Sequence, residues 1–72
     1  MDKLFYKKIE RPINGNYYYL FNKRGNIGIL CGEGEWEEEN QCFYDNNEDR
    51  TYYLEDIDYY MNMPTGEQLD NL

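Results

Sequence analysis

The chain has no histidine, alanine, valine or serine among its 72 residues. Without histidine there is no imidazole to ligate a metal and no His general base, and two cysteines fall short of a four-ligand zinc site. Without alanine the chain lacks the best helix former. Proline appears only twice. No apolar run approaches the roughly 18–20 residues that a membrane-spanning helix needs. No secretory signal pattern opens the sequence, so a cytoplasmic protein with Cys31 and Cys42 as reduced, largely buried thiols is expected. A disulfide between them remains the arithmetical alternative.

What the chain does contain is tyrosine and acid. Nine Tyr, three Phe and one Trp bring the aromatic share to 18%, which opposes generic disorder and favours strands. Net charge is −8, so a grip on nucleic acid through its phosphates is not expected. The charge is unevenly distributed. Residues 1–24 sum to +4 and residues 25–72 to −12. Either the basic start folds back on the acidic remainder, or the acidic part faces a basic partner.

Chain length and punctuation predict one domain over residues 1–66, followed by a frayed tail at 67–72. Residues 17–21 (Tyr-Tyr-Tyr-Leu-Phe) and 27–31 (Ile-Gly-Ile-Leu-Cys) read as strands joined by the polar connector around Gly25, a hairpin. Residues 4–10 fit a strand or one to two helical turns ended by Pro12, with the strand preferred. Gly32 and Gly34 mark a turn or bulge. Cys42, Phe43 and Tyr44 form a short strand, residues 45–50 a loop. Ile57, Tyr59 and Met61 alternate with polar or aromatic partners at strand period. The fold class is therefore all-β or β-rich α+β: a single antiparallel sheet of four to five strands in a meander, with room for a short helical turn.

Residues 12–64 carry a further pattern. Pro12-Ile13-Asn14-Gly15-Asn16 leads into the Tyr17–Phe21 run, Ile27-Gly28-Ile29 and Trp36 follow, and Ile57-Asp58-Tyr59-Tyr60-Met61-Asn62-Met63-Pro64 closes the stretch. This arrangement resembles a family of small phage and prophage proteins, a domain of unknown function ending in an aromatic-Met-Pro strand. Tyr60 stands where that family has Trp, and Asn62 where it has its first Pro. The resemblance implies a phage setting and a compact β-rich fold. It brings no catalytic residues.

Glu33, Glu35, Glu37 and Glu39 alternate, so on a strand they would share one face about 6.8 Å apart. Such a row could imitate a phosphate backbone, although duplex DNA carries a charge every ~1.7 Å of axis. A dense mimic needs more acids alongside. The bland reading is a solvated strand kept soluble by charge. Asp45, Asn47, Asp49 and Asp56 partly imitate a calcium loop, but Arg50 stands where the sharp turn needs Gly. Carboxylate pairs are plentiful, yet a domain this small offers little room for a deep catalytic pocket, so no enzyme, metal or cofactor is expected. The candidate partner-binding residues are Glu33, Glu35, Trp36, Glu37, Glu38, Glu39, Asp45, Asp49, Glu55, Asp56, Asp58 and Tyr60, with Trp36 either an exposed anchor or part of the core. The expected partner is a basic host protein or nucleoprotein, met in the manner of an anti-CRISPR inhibitor. The alternatives are a homodimer through a strand edge and a small-ligand binder.

Overall fold

The computed structural model describes residues 4–72. Its elements are β1 (Tyr6–Lys7), β2 (Tyr17–Arg24), β3 (Ile27–Glu37), β4 (Cys42–Asp45), β5 (Arg50–Tyr53), a 3₁₀ turn (Leu54–Asp56), β6 (Tyr59–Asn62) and α1 (Gly66–Asp70). All six strands lie in one antiparallel sheet, in the order β1-β6-β2-β3-β4-β5. The all-β expectation holds. The meander runs from β2 to β5, and the chain then returns across the 3₁₀ turn so that β6 pairs with the free side of β2. Most of residues 4–10 is turn, and only Tyr6 and Lys7 pair, with β6.

The hairpin is longer than its apolar runs. Arg24 pairs with Ile27 across Gly25 and Asn26, and Gly25 has φ +61°, the sign that a type II′ turn asks of its first central residue. Gly32 and Gly34 do not end β3. The irregularity lies beside them: Leu20 pairs with Gly32 but Phe21 with Leu30, leaving Cys31 as the extra residue of a bulge. A bulge re-aims side chains. Leu30 is exposed, whereas Cys31 packs on the core with its Sγ 3.4 Å from the Leu20 carbonyl oxygen. Neither cysteine is in a disulfide, and burial raises both thiol pKa values.

The core is aromatic because the inward positions of four strands are. Tyr18, Leu20, Trp36, Phe43, Leu54, Ile57 and Tyr60 are buried together. The Trp36 ring lies 4.8 Å from Phe43, and Tyr18 meets Tyr60 edge-on at 5.0 Å, separations at which ring pairs attract beyond simple burial. The sheet coils tightly enough for its far strand to reach back. A side chain on Gly32 would collide with the Tyr52 ring, and one on Gly34 with the β4 backbone. The segment before β2 lids one side of this core. Gly15 N–H donates to the Trp36 carbonyl, Trp36 N–H to the Asn16 carbonyl, and Ile13 N–H to the Tyr18 hydroxyl. Residues 67–72, expected as a tail, begin within α1, a single exposed turn held by a Thr65–Gln68 capping box. Among the described residues no helix is long and apolar enough to cross a membrane.

Tyr60 joins the two ends of the fold. Its ring stacks on Tyr6, and its hydroxyl donates to the Glu10 carbonyl. Burial, aided by Tyr18 and Glu10, pushes its phenol pKa up to about 12. The unfolded chain would ionise near pH ~10. The fold thus favours the protonated phenol, and this contribution to stability is intact below pH ~10 and lost as pH rises from there through the folded value. Tyr60→Phe is expected to lower stability at neutral pH by about 1 kcal/mol. It should also make the loss of stability at alkaline pH shallower. Urea midpoints at about pH 8 and pH 11 read both effects, and parallel declines in the two proteins would refute this role for Tyr60.

Candidate functional site

One face of β2, β3 and β6 holds the core, and the other carries half-buried and exposed side chains. Strand alternation decides what this outer face presents. From β2 it takes Tyr17, Tyr19, Phe21 and Lys23, and from β6 Tyr59 and Met61. The register sets these beside one another: Tyr17 opposite Glu35, Tyr19 opposite Glu33 and Met61, and Phe21 opposite Tyr59. On β3 the outward residues are Glu33, Glu35 and Glu37, and beyond them Tyr44 pairs with Glu35. A row of three glutamates therefore runs between tyrosines of β2 and a tyrosine of β4.

The tyrosines register this charge. Burial, Asp45, Glu33 and Glu35 raise the Tyr17 phenol pKa. Tyr44 is raised chiefly by its hydrogen bond to Asp49, with its hydroxyl 2.7 Å from the Asp49 carboxylate, and further by Glu37 and Asp45. Tyr17, Tyr44, Glu33 and Glu37 are half-buried and Glu35 is exposed, and the Glu37 carboxylate accepts the Asn40 side-chain amide at 3.1 Å. Such a surface combines aromatic anchors with a negative potential, a combination that suits a basic partner.

Apart from Asp45, which accepts the Tyr17 hydroxyl at 3.4 Å, and Asp49, the structure separates the other candidates from this row. Trp36 and Tyr60 are 0% and 1% exposed, so both belong to the core and neither anchors a partner. Asp45 is buried as well. Its Oδ1 accepts the Asn47 and Glu48 N–H groups at 3.0 and 3.3 Å, which stabilises the turn after β4. Glu38 is committed to structure: it forms a 2.7 Å ion pair with Arg11 and accepts the Trp36 Nε1–H at 2.6 Å. Hydrogen bonds from Arg11, Trp36 and Gln41, with the Arg11 charge, lower its pKa. Glu39 lies in the turn after β3 rather than in the row. Glu55 and Asp56 sit on the 3₁₀ turn. Asp58 takes the Lys23 N–H at 2.7 Å while Asn22 accepts the Asp58 N–H, a clasp that fixes the approach of β6 to β2. Asp49 remains beside the row through Tyr44.

Residue order predicts an acidic, Tyr-rich surface with at least one exposed member in the Tyr17-Tyr18-Tyr19 run, but it does not set Tyr17, Tyr19 and Tyr44 beside the glutamates. Their signal was present in the Tyr17-Tyr18-Tyr19 run, whose outer members must share a face opposite to that of Tyr18. Compared with known proteins, the chain matches no family model, no curated protein and no solved structure.

Proposed function

We propose that this protein is a non-catalytic binding module whose acidic, tyrosine-flanked sheet face docks on a basic protein surface. More narrowly, it is a phage-encoded inhibitor that acts in the host cytoplasm and occupies the Lys/Arg-lined nucleic-acid channel of a defence nucleoprotein. The observation that carries the reading is the outward row Glu33, Glu35 and Glu37 set between Tyr17, Tyr19 and Tyr44. The resemblance of residues 12–64 to small phage proteins supports the setting. The row is about fourfold sparser than the charge on duplex DNA. Its part is therefore to steer association, while the tyrosines prolong residence.

The test is capture of basic proteins from host lysate on the immobilised domain at rising salt, followed by competition with labelled guide or target nucleic acid on the captured partner. Glu33→Lys, Glu35→Lys and Glu37→Lys together are expected to slow association by roughly tenfold or more, with the wild-type rate falling steeply with salt. Simultaneous binding of nucleic acid and domain, with affinity indifferent to salt, would overturn the occlusion mechanism.

One observation favours a second reading. On β3, β4 meets only Glu35, Trp36 and Glu37, so among the described residues the β3 edge before them has no strand partner, and Ile27, Ile29 and Leu30 are exposed beside it. An open apolar edge is a template for pairing, and a homodimer through it is the alternative. Light scattering across a concentration series separates this alternative from a monomeric inhibitor.

A further inference from the structure

The same sheet face has a basic corner that the docking reading does not use. Lys7 pairs with Tyr59 on β6, and Tyr59 with Phe21 on β2. Two cavities adjoin there. One, of about 480 Å³, is lined by Lys7, Lys8, Ile9, Lys23, Asp58 and Tyr59. The other, of about 320 Å³, holds Phe5, Phe21, Ile27, Gly28 and Tyr59 among its walls. Tyr59 and Lys23 belong to both. Gly28 pairs with Lys23, and the space where its side chain would stand is open. Phe5 meets Phe21 edge-on at 5.5 Å.

The corner combines three chemistries. The apolar cavity presents aromatic rings on which a planar base can stack. The other brings together three lysines in a chain of net charge −8. Among the described residues no carboxylate forms an ion pair with their ammonium groups, and Lys8 Nζ reaches only the Glu55 carbonyl, at 3.4 Å. Asp58 spends one carboxylate oxygen on the Lys23 N–H and has the other available for a ligand hydroxyl, as acidic residues in nucleotide sites take a ribose hydroxyl. Both are open surface depressions, with volumes within the range of small-molecule sites, about 300–1,000 Å³.

We propose that this groove binds a small nucleotide, with its base against Phe5, Phe21 and Tyr59, a ribose hydroxyl on Asp58, and its phosphates on Lys7, Lys8 and Lys23. The acidic remainder of the chain selects for a short ligand. A nucleotide presents a few charges to the corner alone, whereas a long polyanion would run on into the glutamate row.

Isothermal titration of the full chain with ATP, adenosine, inorganic triphosphate and a single-stranded DNA 10-mer tests this. ATP is expected to bind at least about tenfold more tightly than adenosine or triphosphate, since each lacks one half of the contacts. Lys7→Gln with Lys23→Gln should weaken ATP by roughly tenfold or more and leave adenosine unchanged. Phe5→Ala, at an exposed position, should weaken ATP and adenosine but not triphosphate. No heat with ATP at millimolar concentration would overturn the proposal. So would triphosphate binding as well as ATP, which marks a mere charge patch, or the 10-mer binding more tightly than ATP. None of these variants touches the glutamate row, so capture of a basic partner succeeds or fails independently.

Discussion

Trp36→Ala is expected to leave the domain largely unfolded at room temperature. The indole is fully buried, packs against Phe43, and lies under the Arg11 guanidinium at 5.6 Å. Truncating a buried Trp typically costs about 3–5 kcal/mol through lost transfer energy and the cavity left behind. A core in a chain this small supplies net stability of only about that size. Trp36→Phe should retain much of the packing and sacrifice chiefly the bond to Glu38, whose carboxylate keeps Arg11. Urea unfolding followed by far-UV circular dichroism is the appropriate measurement, because Trp36 is the chain's one tryptophan and its fluorescence disappears with the substitution. A loss under about 1 kcal/mol would mean that the ring does not organise the core as described.

The second large effect is expected at Gly34. A Cβ there would lie 2.9 Å from the Tyr44 backbone, and a neighbouring strand's backbone cannot swing aside as a side-chain tip can. Gly34→Ala should therefore cost about 1–3 kcal/mol by overpacking. Gly28→Ala meets nothing within 4 Å and is expected to be neutral or to stabilise by up to ~1 kcal/mol, since glycine loses the most backbone freedom on ordering. Gly32→Ala belongs between them, because the Tyr52 ring must move but the backbone need not. Equal midpoints for the Gly28 and Gly34 variants would show that β4 does not close over β3 at Gly34.

Much of the fold was legible wherever local pattern and tertiary demand agree. The β2–β3 hairpin announces itself through two apolar runs around a Gly-containing turn, and its register follows from the turn. The side taken by Trp36 was legible too. If Glu33, Glu35 and Glu37 alternate outwards, residue 36 must point the other way, so a single face could not hold both the glutamates and the indole. Tyr60 is a different case. The apolar Ile57, Tyr59 and Met61 suggest that they form the inner face of β6, yet Tyr60 is buried while Tyr59 and Met61 face outwards. Neighbouring polarity misleads because Asp58 is engaged with the Lys23 amide and Asn62 lies at the strand's exposed end. What places Tyr60 inside is its position opposite Leu20 and Tyr6, a pairing between distant segments. Asp45 is similarly nonlocal in part: its turn amides could be anticipated from sequence, the Tyr17 hydroxyl near it could not.

The return of β6 to β2 also governs when during synthesis the sheet can be finished. β2 has β3 as a neighbour as soon as the hairpin emerges, but its other edge waits for residues 59–62, and Tyr6 waits for Tyr60. Until then Tyr18 and Leu20 lack their cover, and a strand edge with aromatic flanks is open to other chains. Contacts this distant in sequence place the domain among slow folders for its size. A nascent chain halted before residue 59 would therefore be aggregation-prone, and protection of the β2 amides from exchange should appear only once the closing strand has been made.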